Sequence, residues 1–165
     1  MSRTRSNNSA SQHVDDGTDL VTALLTASRV LVGVSARTIA EVEDTVTMTQ
    51  FRTMVVLDSH PDINLNTLAD LLDVTSSTAM RMIDRLLVAD LVTRRNNPHN
   101  RREVLLGLSP AGHGIVRKVT ARRRTEIARI VTAMPSEQHE ALVSALRAFS
   151  EAAGEPDAAA TAWGW

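Results

Sequence analysis

Residues 65–112 have the sequence LNTLADLLDVTSSTAMRMIDRLLVADLVTRRNNPHNRREVLLGLSPAG, and this stretch decides the fold. Apolar residues at helical spacing predict a short helix over 67–72 and, after a three-residue turn, a second helix over 76–89. Extended runs follow over 91–95 and 103–108, and the turn-forming residues between them predict a β-hairpin with a longish loop. A short helix, a turn, a second helix and a hairpin in this order predict a winged helix-turn-helix.

The second helix of this pair begins with four hydroxyl-bearing residues in a row, Thr75, Ser76, Ser77 and Thr78. Small hydroxyl side chains allow the first turn of a helix to enter the major groove of DNA and to bond to bases or phosphates. Hydroxyl residues at a helix start also act as caps, and either Thr75 or Ser76 is expected to cap this one. Further along the outer face lie three more candidates for DNA contact, Met80, Arg81 and Arg85.

The predicted hairpin carries arginine on both sides of its loop. A basic hairpin of this kind matches a wing that lies over the sugar-phosphate backbone and inserts an arginine into the minor groove. A solvated basic hairpin without a nucleic-acid partner is the alternative. The wing residues predicted to contact DNA are Arg94, Arg95, Asn97, His99, Asn100, Arg101 and Arg102.

Charge is distributed unevenly along the chain, whose formal net charge is −1. Residues 81–124 contain eleven basic and three acidic residues, so this segment carries +8 and the rest of the chain −9. A basic segment between acidic flanks is expected where one face of a protein meets phosphates. Aromatic residues make up only 2% of the chain, which disfavours single-strand and RNA binding, because both rely on aromatic stacking.

Outside this stretch the chain is predicted to be helical. A long helix over 19–44 has apolar residues around so much of its circumference that a second subunit is the natural cover. Thr47 and Gln50 form a capping box for the next helix, and Ser109, followed by proline, starts the helix after the hairpin. The predicted fold class is therefore mainly α with a small β-hairpin wing, a winged helix-turn-helix domain plus a helical dimerisation region.

These patterns also divide the chain into parts. Residues 1–17 are polar and predicted to form a disordered N-terminal arm, and residues 153–165 a flexible tail. Between them lies a single domain, 18–152. Its DNA-binding lobe is predicted at 45–108, and its dimerisation region at 18–44 and 109–152.

Composition disfavours several other classes of protein. The chain has no cysteine, which excludes disulfides and thiolate metal sites. Its five histidines are never three or four residues apart, so no metal site within one helix and no cofactor are predicted. No phosphate-binding glycine loop or activated nucleophile is recognised, which disfavours an enzyme. With no apolar run of membrane-spanning length and no secretory signal recognised, a cytoplasmic protein without membrane contact is expected.

The quoted stretch resembles the MarR family of bacterial regulators, and the flanking helices extend the resemblance over about residues 19–152. Its most specific part is the wing, where Leu-Val-x-Arg precedes a proline-containing loop, Arg-Arg and Leu-Ser-x-x-Gly. The resemblance implies a homodimer that binds pseudo-palindromic operators in double-stranded DNA and represses transcription. It also implies a small aromatic or anionic effector, and it implies that Arg102 is the residue inserted into the minor groove.

Two residues depart from the family pattern. Asn100 lies where the family usually has an aspartate two residues before the inserted arginine. An asparagine can still accept a hydrogen bond from the guanidinium but lacks the charge, so Arg102 is expected to be less firmly oriented. Met80 lies where a hydroxyl residue is frequent, and we expect it to pack rather than to contact a thymine methyl group.

Arg123 falls on the apolar stripe of the helix after Ser109, and a buried guanidinium needs a carboxylate or carbonyl partner. The favoured interpretation is an ion pair across the dimer with Glu41 or Glu43, and the alternative is an anchor for the carboxylate of a ligand. Two functions of another class also stay open. One is a winged-helix module for protein–protein contact, and the other is a small-molecule binding protein without specific DNA binding.

Overall fold

The computed structural model describes residues 6–43 and 46–154, which fold into six α-helices and one β-hairpin. In chain order the helices are α1 (Ser6–Val42), α2 (Met48–Ser59), α3 (Leu65–Leu72), α4 (Ser76–Val88), α5 (Pro110–Thr132) and α6 (His139–Ala152). The hairpin lies between α4 and α5 and consists of the antiparallel strands β1 (Val92–Asn97) and β2 (Asn100–Leu108). The predicted fold class is confirmed, including the three-residue turn between α3 and α4.

The helix starts follow the capping residues that the sequence indicates. The Thr47 hydroxyl accepts a hydrogen bond from the amide of Gln50, whose side chain accepts one from the Thr47 amide, which completes the capping box. At the start of α3, Asn64 is the cap, because its side-chain oxygen accepts from the Thr67 amide. Ser109 caps α5 with proline in the first turn, as predicted.

The hydrophobic core lies where α2, α3, α4 and the start of α5 meet the inner face of the hairpin. Its largest fully buried apolar side chains are Met54, Leu57, Leu68, Ile83, Leu86 and Val119. The C-terminal part of α1 packs against α5 and α2 and contributes the buried Ile39. This core fixes which face of α4 is turned outward.

Three aspartates change the direction of the chain at helix ends. Asp62, Asp73 and Asp90 have left-handed backbone conformations with φ of 63°, 54° and 57°, which Asp tolerates better than most residues. Asp73 ends α3 before the turn to α4, and Asp90 lies between α4 and β1. Asp62 precedes Ile63, whose carbonyl accepts the amide of Leu106 at 2.8 Å and so adds one bridge to the edge of the hairpin.

The loop of the hairpin is shorter than predicted. Strand β1 continues to Asn97 and β2 begins at Asn100, so Pro98 and His99 alone form the turn. The side-chain oxygen of Asn97 accepts the His99 amide at 2.9 Å, which stabilises the tight turn. The prediction of a longish loop is therefore wrong, because residues expected to be irregular pair as strands.

Helix α1 begins at Ser6, within the segment 1–17 that was predicted to be a disordered arm. The boundary predicted at residue 17 therefore falls within α1, and the division of the chain into arm, domain and tail stays a prediction. Residues 1–5 of the predicted arm and 155–165 of the predicted tail lie outside the described residues.

One helix of the described residues is long and apolar enough to cross a membrane by length and composition, namely Thr18–Val42 of α1, with a mean hydropathy of 1.4. This corrects the expectation that no such segment exists. Only 6% of the apolar 18-residue stretch of this helix is buried within the subunit, so α1 carries an uncovered apolar face. A helix that packs against a second soluble subunit has the same character, since its apolar face is also uncovered in the isolated chain.

Candidate nucleic-acid interface

Helix α4 turns one face to the core and the opposite face to solvent. Its buried residues are Ala79, Met82, Ile83 and Leu86. Of the residues predicted on the outer face, Ser77, Met80, Arg81 and Arg85 are exposed and Thr78 is half-buried. Asp84 is also exposed on this face. A helix supported in this way can enter a groove of DNA without disturbing the core.

The hydroxyl residues at the start of α4 have different partners. Thr75 caps the helix, because its hydroxyl accepts the Thr78 amide at 3.3 Å. The Thr75 hydroxyl also lies 3.0 Å from that of Ser77 and 2.9 Å from that of Thr78. Ser76 donates instead to the side-chain oxygen of Asn66 in α3 at 3.1 Å, a contact the sequence did not indicate. Capping is therefore confirmed for Thr75, and Ser76 joins the two helices of the pair.

Within the described part of the chain, the two arginines of the α4 outer face are not engaged by carboxylates. An Nη atom of Arg81 lies 3.4 Å from the Thr78 hydroxyl, still on the same helix. No ion pair to Arg81 or Arg85 is found among residues 18–43 and 46–154. Their guanidinium groups therefore lie on the exposed side of the helix, open to an external anion.

Arg94 of β1 reaches from the hairpin to α4. Its Nη2 lies 2.8 Å from Oδ1 of Asp84 and 3.3 Å from Sδ of Met80, one helical turn away on the same outer face. The side chains stay partly exposed, 40% for Arg94 and 56% for Asp84. Arg94 thus contacts Met80, a second predicted site residue, and binds Asp84, an acid to which the sequence analysis assigned no role.

Arg95 forms a second ion pair, with the loop after α2. Its Nε donates to Oδ1 of Asp62 at 2.8 Å and its Nη2 lies 2.6 Å from Oδ2, a bidentate arrangement. The hydrogen bond from Arg95 lowers the pKa of the Asp62 carboxyl, and the same bond raises the pKa of Arg95. No local sequence signal pointed to this pair, whose members are 33 positions apart.

The tip of the hairpin is joined to α3 through Glu103. Its carboxylate accepts hydrogen bonds from the side-chain amides of Asn64, the cap of α3, and Asn97, at the end of β1. His99 is exposed in the turn. Arg101 and Arg102 lie on β2, but their side chains fall outside the described part of the structure.

Arg123 lies on α5, far along the chain from the hairpin, and is half-buried. Burial lowers the pKa of its guanidinium. Of the two carboxylates predicted as its partners, Glu41 lies 2.8 Å from Nη1 of Arg122 in the same subunit. Glu41 is therefore engaged by the neighbouring arginine, which the sequence did not predict.

Clusters of three or more histidine, aspartate or glutamate side chains able to hold a metal ion are absent from the described residues. His113 of α5 and Asp58 of α2 form a smaller group, with Nδ1 and Oδ1 2.6 Å apart. This pair, which sequence reasoning missed, joins α5 to α2 beside the core.

A short helix, a three-residue turn, a second helix with an exposed outer face and a two-stranded hairpin define a winged helix-turn-helix protein. The family model for MarR matches residues 46–104. RV1404 from Mycobacterium tuberculosis is 53% identical, with a TM-score of 0.79, over 85% of this chain and 96% of that chain. The protein belongs to the MarR family, and is thus a transcription regulator and not an enzyme.

More distant solved structures have the same fold. A mutant of MepR from Staphylococcus aureus, bound to an oligodeoxyribonucleotide, is 17% identical with a TM-score of 0.61, over 81% of this chain and 96% of that chain. The multiple antibiotic-resistance repressor MarR from Listeria monocytogenes is 19% identical with a TM-score of 0.66, over 86% and 96% of the two chains. None of the curated proteins compared with the chain matches it.

Proposed function

We propose that this regulator binds double-stranded DNA sequence-specifically, as a homodimer on a pseudo-palindromic operator. The observation that carries the proposal is the outer face of α4, where Ser77, Arg81 and Arg85 are exposed beside an arginine-rich hairpin. The DNA-bound MepR mutant, which has the same fold, supports this choice of partner.

In the proposed complex the first turn of α4 lies in the major groove. Ser77 and Thr78 then reach base edges or nearby phosphates, and Arg81 and Arg85, one and two turns along, bind the phosphates beside the groove. The hairpin lies over the adjacent backbone, with Arg102 in the minor groove and Arg101 beside it. The polar tip residues Asn97, His99 and Asn100 are further contacts predicted for the wing.

The homodimer is supported by apolar faces that the single subunit leaves uncovered. On α1 the exposed large apolar residues include Leu20, Val21, Leu25 and Val32, at 57–62% exposure. On α6 they are Val143, Leu146 and Phe149, at 47–55% exposure. Apolar patches of this kind on a soluble protein mark an interface. Two recognition helices related by a two-fold axis would read half-sites centred about 34–36 Å apart.

We infer that the regulator is a cytoplasmic repressor whose operator binding is relieved by a small aromatic or anionic effector. Arg123 is the candidate anchor for such an effector, because a half-buried guanidinium on α5 can bind a carboxylate with little competition from water. Effector binding at α5 would then act on the helix that leads directly out of the wing.

Selection of genomic fragments bound by the purified protein, followed by fluorescence anisotropy on the enriched sequence, tests the proposal. We expect one enriched pseudo-palindrome that binds at least 10³-fold more tightly than random duplex at physiological salt. Failure to enrich any sequence would leave the protein–protein module as the better description. Tight binding of a small molecule without DNA affinity would favour a small-molecule binding protein.

The dimer is tested separately by analytical ultracentrifugation. Phe149→Glu places a charge on the uncovered face of α6 and should shift the dimer to monomer. Ser144→Glu, on the other side of the same helix, adds the same charge and should leave the dimer intact. Equal behaviour of the two variants would contradict an interface through this face.

A further inference from the structure

Strand β1 carries two adjacent arginines whose side chains leave opposite faces of the hairpin. Arg94 is paired in register with Leu106, which is buried, so it lies on the face turned toward the helices. Arg95 follows it and therefore lies on the other face. Each ends in an ion pair, the first with Asp84 of α4 and the second with Asp62 after α2.

A glycine lies beside the path of the second ion pair. Asp62 and Arg95 lie on either side of β2, next to Gly107. A Cβ atom at residue 107 would lie 4.0 Å from Oδ1 of Asp62 and 3.8 Å from Oγ1 of Thr93. Both distances are ordinary van der Waals contacts, so residue 107 lies beside the carboxylate that Arg95 binds.

We propose that Arg94 and Arg95 are positioning residues that hold the wing at a fixed angle to the recognition helix, through Asp84 and Asp62. The phosphate contacts of the wing then come from its other arginines. This inference rests on the proposed DNA-binding function. An arginine bound to a carboxylate already uses part of the hydrogen-bonding capacity of its guanidinium group. The ion pair also carries no net charge that would attract a phosphate.

Two restraints of this kind act together although each is weak. A single exposed ion pair contributes little to overall stability. Here the pairs attach opposite faces of one hairpin to different parts of the helical body, so each opposes a rotation that the other permits. The orientation of the wing relative to α4 is thereby restricted before DNA is met, which lowers the cost of ordering it on binding.

Arg94 could either position the wing or contact a phosphate of the DNA. Removing Asp84 distinguishes these two roles, because they predict opposite effects on operator binding. If Arg94 positions the wing, Asp84→Ala and Arg94→Ala should each weaken operator binding by about three- to fivefold, and the double variant should be no weaker than either. The slope of log K against log salt should change by less than about half a unit, since no phosphate contact is lost. Arg94→Lys, which keeps the charge, should recover part of the affinity.

A phosphate-contacting Arg94 would behave differently and overturn the inference. Asp84→Ala would then leave binding unchanged or tighter, because it releases the arginine and removes a negative charge. Arg94→Ala would lower the salt slope by about one. Unchanged binding in both single variants would also overturn the inference. If Arg95 positions the wing, Arg95→Ala and Asp62→Ala should likewise each weaken operator binding with little change in the salt slope.

Amide hydrogen exchange of the free protein tests the restraint without DNA. Exchange in β1 and β2 should be faster in Arg94→Ala and Asp84→Ala than in the wild type. Arg129→Ala, which breaks an exposed ion pair of 2.6 Å near the end of α5, should leave hairpin exchange unchanged. If the wild type binds no specific DNA, the proposed function fails, and the exchange experiment still decides whether the arginines restrain the wing. Unchanged exchange in the hairpin would count against the inference whatever the DNA result.

Discussion

Gly112 and Leu91 are in backbone contact where α5 leaves the hairpin. A Cβ atom at residue 112 would clash with the carbonyl oxygen of Leu91. That carbonyl accepts the amide of Ser109 at 3.0 Å, while the Ser109 hydroxyl donates to the carbonyl of Asp90 at 2.7 Å and accepts the Gly112 amide. The base of the wing, the end of α4 and the cap of α5 therefore form one connected unit.

Gly112→Ala should destabilise the protein by about 1–3 kcal/mol, because the new methyl group meets backbone that is fixed by these hydrogen bonds. Gly114→Ala is the matched control, since nothing lies within 4 Å of a Cβ at that position of the same helix. Alanine there should stabilise by about 0.5–1 kcal/mol through its helix propensity. Urea unfolding measures both, and an equal free energy of unfolding for the two variants would contradict the close contact.

The features that could be predicted from the sequence are those with local signals. The capping box of Thr47 and Gln50 and the serine–proline start at Ser109 each act within one helical turn. The burial of α4 followed from its periodicity, and the winged helix-turn-helix followed from the order of the elements. The resemblance of this stretch to MarR proteins then indicated the family, which the comparisons confirm.

The features that could not be predicted depend on contacts between distant parts of the chain. Arg94 meets an acid ten positions away on another element, and Arg95 one that is 33 positions away. The hairpin loop was predicted too long because asparagines serve equally in turns and at strand ends. Here Asn97 is fixed in a strand by Glu103, a residue on the facing strand. DNA contacts by individual side chains, Arg102 among them, stay predictions.

Arg81→Ala should weaken binding to operator and random duplex alike. The guanidinium lies one turn along α4 on its exposed face, where a phosphate contact carries no sequence information. The slope of log K against log salt should fall by about one. Fluorescence anisotropy at several salt concentrations measures this, with Arg147→Ala on α6 as the control that leaves the slope unchanged. A loss confined to the operator would instead assign Arg81 to base recognition.

The Asp62–Arg95 pair should make the wing sensitive to acid. The hydrogen bond from Arg95 lowers the pKa of Asp62 in the folded protein. The ion pair therefore stabilises the folded protein fully above the ordinary carboxyl pKa of about 3.9. It is lost as the pH falls through the lowered pKa. Arg95→Gln should return the pKa of Asp62 toward its ordinary value, as followed by carboxyl-carbon NMR, whereas Arg129→Ala should not. A pKa of Asp62 that stays low in Arg95→Gln would mean that another group causes the shift.

Arg102→Ala should weaken operator binding by about 1–3 kcal/mol, the range for a side chain that makes a specific contact, and relax sequence preference at the flanking positions.

Asn100 gives an independent test of the same role. The family usually has an aspartate at this position, two residues before the inserted arginine. Asn100→Asp should therefore orient Arg102 more firmly and tighten operator binding despite adding a negative charge near DNA. The same substitution in an Arg102→Ala background should weaken binding, because only the repulsion from phosphate remains. If Asn100→Asp weakens binding equally in both backgrounds, Arg102 does not depend on residue 100, and the departure from the family pattern has no effect on the wing.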